Sequence, residues 1–93
     1  MTRDRIVQDL QGLLQEADPR TMAEVNLQKA LDHNERLPLD SLASFELAKL
    51  IEEKFSIEVL DEEIDLMVHP VSLLGLITTK LQRGSHLTGR QSH

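Results

Sequence analysis

Apolar residues recur along the first third of the chain at helical spacing. Ile6, Val7, Leu10, Leu13, Leu14 and Ala17 fall on one face, and Thr2 stands where an N-cap belongs. Asp18-Pro19 should stop this helix, because a residue preceding proline disfavours the α region. Residues 18–40 then read as a long connection with one weakly periodic piece (Met22, Val25, Leu27, Ala30, Leu31), closed by Pro38. Connections of that length are uncommon in compact domains and often functional.

A second helix is predicted from about Ser41 to Phe55. Leu42, Phe45, Leu47 or Ala48, Ile51 and Phe55 form its expected inner face, and Ser44, Lys49, Glu52 and Glu53 its outer face. Ile57-Glu58-Val59 alternates as a strand would, but three residues without a partner make no sheet, so a loop that turns Ile57 and Val59 inward is expected. Asp61 is the expected cap of a short helix through Met67, with Glu62 and Glu63 in its positive first turn. Pro70 suits the first turn of a last helix striped by Leu73, Leu74, Leu76, Ile77 and Leu81. The expected fold is all-α, a small four-helix bundle of three main helices and one short helix with a long first loop. Residues 1–83 make the domain, and 84–93, polar and patternless, read as a disordered tail.

Composition narrows the class. With 93 residues the chain suits one domain with a thin core, and 40% of its residues are apolar. No run approaches the roughly 20 apolar residues of a membrane span, and no signal-type apolar core follows the basic start, so a cytoplasmic protein is expected. The absence of cysteine removes disulfides, cysteine-based zinc sites and thiol catalysis.

The net charge is −6, and it is unevenly placed. Residues 35–65 hold 10 acids and 3 bases, a balance of −7, whereas residues 66–93 hold 3 bases and no acid. Two phenylalanines and an acidic balance do not suit nucleic acid, which needs a basic footprint and stacking platforms. The expected partner is instead a basic protein surface that meets the middle third.

Most chemical constellations fail on spacing. His33, His69, His86 and His93 show no metal-ligating pattern. Asp61-Glu62-Glu63-Ile64-Asp65 lacks the glycine and alternation of a calcium loop and reads as a capped, solvated helix start. Gly12 and Gly75 belong to no phosphate loop. A serine hydrolase can be sketched from Ser41, a histidine and an acid, but no nucleophile elbow supports it.

The segment Leu37-Pro38-Leu39-Asp40-Ser41-Leu42-Ala43-Ser44-Phe45-Glu46-Leu47 is different. Its simplest reading is an N-cap before an amphipathic helix. Yet a serine at a helix start, after a long loop and within the most acidic third, is well placed to bear a phosphodiester. Free N–H groups and the positive helix end stabilise such a group.

Residues 37–65 resemble the acyl carrier protein family. The resemblance rests on Asp40-Ser41-Leu42 and Glu46-Leu47, and continues through Leu50-Ile51-Glu52-Glu53-Lys54-Phe55, Glu58-Val59 and Asp61-Glu62-Glu63. The first and last helices agree with the family in pattern only. Pro38 stands where the family commonly has glycine, Ala43 where fatty-acid carriers often have an acid, and Leu60 where proline is frequent. Lys49 adds a positive charge to the recognition helix. These departures leave the carrier resemblance intact but tell against housekeeping fatty-acid synthesis, and Leu39-Asp40-Ser41-Leu42 looks more like polyketide-type carriers than peptidyl carriers.

The resemblance implies a monomer that is not itself an enzyme. Ser41 would carry 4′-phosphopantetheine from coenzyme A, flanked by Asp40 and Leu42. A phosphopantetheinyl transferase, an acyl-loading enzyme and downstream synthases would dock on Glu46, Lys49, Glu52, Glu53, Glu62 and Glu63 through basic surfaces. An apolar cargo would slip between helices near Leu66, Met67 and Leu73. An aminoacyl or peptidyl carrier of the same fold, and a helical adaptor without any prosthetic group, stay open as alternatives.

Overall fold

A computed structural model describes residues 2–90, and the side chains of residues 2–83. The architecture is all-α. Helix α1 (Arg3–Ala17) begins where Thr2 Oγ1 accepts the Arg5 N–H (3.2 Å), and its buried face is Ile6, Val7, Leu10, Leu13 and Leu14. It stops at Asp18, whose φ of −149° and ψ of 78° leave the helical region before Pro19.

The long connection is not structureless. Asp18 also caps a single turn, α2 (Pro19–Met22), by accepting the Thr21 N–H (3.3 Å). Asn26 caps α3 (Leu27–His33) through the Lys29 N–H (3.0 Å), and α3 ends at Asn34 in the left-handed region. Met22, Leu27, Ala30 and Leu31 are all buried. Two short helices therefore replace the expected loop, because each has its own cap and each buries apolar side chains against α1.

Helix α4 (Ser41–Phe55) has the predicted bounds but a different phase. Its buried face is Ala43, Ser44, Leu47, Ala48, Ile51 and Phe55, while Leu42 is 77% exposed and Phe45 46% exposed. The expectation that Leu42 and Phe45 point inward and Ser44 outward is overturned. Ala43, Ser44 and Ala48 share the buried face with Leu47, Ile51 and Phe55, and α4 packs against α1 and the following 3₁₀ helix. The two large apolar residues take the outer side.

The segment after α4 turns at Ser56 (φ 55°) and leaves Ile57 and Val59 half-buried, with no strand among the described residues. The next element is a 3₁₀ helix (Asp61–Val68), and Leu60, not Asp61, is its N-cap residue. Leucine has no capping oxygen. Glu63 makes the reciprocal contact, its Oε1 accepting the Leu60 N–H at 2.8 Å while its own N–H donates to the Leu60 carbonyl at 2.8 Å. Helix α5 (Pro70–Arg90) starts at the predicted proline and buries Leu73, Leu74 and Ile77. Its backbone continues past Gly84, where a tail is predicted, as no proline follows and propagation needs no new nucleus. The side chains of 84–90, His86 included, and residues 91–93 with His93 lie outside the described residues.

The core lies where α1 meets α4, with α3 and α5 closing one side and the 3₁₀ helix bridging α4 and α5. Among the described residues no helix is long and apolar enough to cross a membrane.

Candidate functional site

Ser41 is the first residue of α4 and is exposed. Asp40 precedes it in extended conformation, and its Oδ1 accepts the Ala43 N–H at 2.8 Å. One free donor of the helix start is thereby satisfied, and the others remain near Ser41. The approach is held from both sides. Leu37 and Leu39 alternate into the core around exposed Pro38, and the Leu37 N–H donates to the Val68 carbonyl at 2.7 Å. The loop that presents Ser41 is thus tied to the end of the 3₁₀ helix.

Between the start of α4 and the 3₁₀ helix lies a cleft of about 320 Å³. Arg36, Leu39, Asp40, Ser41 and Ser44 line one side, and Ile64, Asp65, Val68 and His69 the other. Sequence reading singled out Ser41 and Asp40 but not Arg36, Ser44 or His69 as neighbours. Ser44 carries a detectable signal, because a residue three places after Ser41 shares its helix face. His69 carries none, since only the packing of the 3₁₀ helix brings it there.

The cleft also gathers Ser41, His69 and Asp65, the side-chain types of a hydrolytic triad. Among the described residues no hydrogen bond joins the Ser41 hydroxyl to either, nor His69 to Asp65.

The expected docking residues divide into two groups. Glu46, Lys49, Glu53 and Glu62 are exposed. On α4 the first three form a stripe with Leu42 and Phe45, and Lys49 Nζ lies 5.0 Å from the centre of the Phe45 ring. Glu52 and Glu63 are only half-exposed and already engaged. Glu52 Oε2 accepts the Val59 N–H at 2.8 Å, which pins the turn after α4. Glu63 Oε1 takes Lys80 Nζ at 2.9 Å as well as the Leu60 N–H. Burial pushes the Glu63 carboxyl up, but the Leu60 N–H and the Lys80 ammonium outweigh it and hold the carboxyl below its usual range. Leu66 is half-buried, and Met67 and Leu73 are fully buried.

Compared with protein-family models, curated proteins and solved structures, the chain has no match.

Proposed function

We propose that this chain is a carrier of the acyl carrier type, which holds acyl groups as thioesters on a 4′-phosphopantetheine arm at Ser41. The observation that carries the reading is the exposed Ser41 hydroxyl at the positive start of α4, on a loop clamped by Leu37 and beside a cleft. Attachment would join Ser41 Oγ to the phosphorus that bears the pantetheine in coenzyme A. The pyrophosphate bond breaks, 3′,5′-ADP leaves, and a base of the transferase takes the hydroxyl proton. When bound, the arm supplies the thiol that a cysteine-free chain lacks.

The protein's own residues present and orient. Asp40 fixes the helix start under Ser41, and Leu42 is exposed next to it, available to a partner or to the arm. Exposed Glu46, Glu53 and Glu62 fit a basic docking surface on the transferase, the loading enzyme and later synthases. Such contacts steer and align without holding tightly, which suits a cytoplasmic, monomeric shuttle in polyketide-type synthesis.

Intact mass after incubation with coenzyme A, magnesium and a promiscuous phosphopantetheinyl transferase tests the reading. One phosphopantetheine is expected on the wild type and none on Ser41→Ala. An unmodified wild type, or an equally modified Ser41→Ala, overturns it. The shared cleft of Ser41, His69 and Asp65 favours a second reading, a small serine hydrolase. That reading requires the unmodified protein to turn over an activated ester, with loss in Ser41→Ala.

A further inference from the structure

A groove of about 460 Å³ lies between the start of α1, α3 and α5. Ile6, Leu31 and Leu74 are its apolar walls, and Val71, 51% exposed, lines it too. A second hollow of about 270 Å³ shares Ile6, Thr78 and Gln82 with it, so the two are one groove. It follows α5 from Val71 to Gln82, about 16 Å or three helical turns. Neither α4 nor the 3₁₀ helix contributes to its lining, and it shares no residue with the cleft beside Ser41.

Gly75 lies in this groove, one turn after Val71 in the interior of α5. A Cβ there would meet nothing within 4 Å. Glycine is the poorest helix former after proline, so packing within this chain gains nothing from it. A missing side chain does allow close approach to the α5 backbone from outside. Thr78, on the same face, donates its hydroxyl proton to the Leu74 carbonyl at 2.8 Å and offers the groove no free donor.

The charges of the lining sort the occupant. Arg3 is the one charged residue among the described lining, and it has no ion pair with any described residue. No acid lines the groove, and residues 66–83 hold none. On α1, Asp9 is paired with Arg5, and neither Asp9 nor Asp4 belongs to the lining. The polarity is opposite to that of the acidic middle third, so a complementary occupant is apolar with negative charge. The walls are helices, with no strand among the described residues, so an extended peptide finds no edge to pair with. A helix satisfies its own backbone and can lay a row of apolar side chains in such a groove.

We propose that this groove docks an acidic amphipathic helix of a partner protein. An aliphatic row sits on Ile6, Leu31 and Leu74, the helix backbone approaches Gly75, and a carboxylate meets Arg3. The proposal goes beyond the carrier reading and does not rest on it. A helix held here leaves Ser41 and the exposed acids of α4 open, so one partner can tether the protein while another acts at Ser41.

The test is an NMR titration of the isotope-labelled full chain with two helical peptides of about 15 residues, the length at which an isolated helix begins to hold in water. Both carry the same leucine face, and the polar face is glutamate in one and lysine in the other. The glutamate peptide is expected to shift the amide resonances of Ile6, Leu31, Leu74 and Gly75 saturably, and the lysine peptide to leave them in place. Gly75→Leu fills the groove and improves helix propensity, so it should abolish the shifts without lowering the unfolding midpoint. Arg3→Gln should weaken binding by up to about fivefold, the range of an exposed charge pair, and the difference should fade with added salt. No saturable shift in the groove, shifts that persist in Gly75→Leu, or equal binding of the two peptides overturns the proposal. Groove shifts that grow with protein concentration alone and vanish in Gly75→Leu assign the groove to a second copy, which also overturns it. Modification of Ser41, read by intact mass, is decided separately from all of these.

Discussion

Glu63 and Lys80 share one oxygen with the backbone: Glu63 Oε1 receives Lys80 Nζ at 2.9 Å and the Leu60 N–H at 2.8 Å. The pair ties the start of the 3₁₀ helix to α5 and fixes the backbone of Leu60, its N-cap residue. The Glu63 carboxyl is held below its usual range, so it binds protons less readily folded than unfolded. Its stabilising contribution is therefore complete above the unfolded carboxyl's pKa and is lost as pH falls through the lower folded value. Glu63→Gln should cost about 1 kcal/mol at neutral pH and flatten the acid limb of the stability curve. Urea titrations at several pH values measure both; an unchanged acid limb removes Glu63 from the account.

Glu52 should behave unlike the acids beside it on α4. Its carboxylate holds the Val59 N–H, so Glu52→Lys should lower stability by about 1–3 kcal/mol. Glu46→Lys and Glu53→Lys, on exposed positions, should leave the midpoint of unfolding in place and slow modification by the transferase, more at low salt. Denaturation midpoints and modification rates, measured on the same samples, separate the two classes.

The outward phase of α4 makes a direct prediction about its two aromatic residues. Phe55→Ala removes a buried ring and should cost about 3–5 kcal/mol. Phe45→Ala, at a half-exposed site beside Lys49, should cost no more than about 1 kcal/mol. Equal losses in thermal or urea unfolding would contradict the burial pattern.

Gln11 reaches across from α1 to the connection. Its Nε2 donates to the Val25 carbonyl at 3.0 Å, and its Oε1 accepts the Leu27 N–H at 2.6 Å. The amide thus fixes the entry to α3 from a position in the middle of α1. Gln11→Ala should cost about 1–3 kcal/mol and raise hydrogen exchange at Leu27 before it affects α4. Exchange that rises uniformly across the chain would count against a local hook.

Asp40 is testable apart from any cargo. Asp40→Ala should lower stability by about 1 kcal/mol through loss of the Ala43 N–H bond, and Asp40→Asn should recover most of it. Thermal unfolding of the three proteins decides this.

Several features were legible in the chain alone because they rest on local backbone chemistry. Thr2 and Asp40 as caps, the stop at Asp18-Pro19, the bounds Ser41–Phe55 and the start at Pro70 each involve residues within one turn of each other. The acidic middle third and the missing thiol follow from composition in the same way. The all-α class follows from apolar spacing, which sequence displays directly. Tertiary packing decided the rest. Which side of α4 is buried depends on how it packs against α1 and the 3₁₀ helix, and that packing puts Ala43, Ser44 and Ala48 inside and Leu42 and Phe45 outside. The duties of Glu52 and Glu63 depend on N–H groups and an ammonium that arrive from other elements. The cleft beside Ser41 lies where α4 and the 3₁₀ helix meet, with Leu37 bonded to Val68, 31 residues away, and it sets His69 and Asp65 opposite Arg36 and Ser44. Spacing along a chain reports on one helix at a time, and a site made where two elements meet is settled by their packing.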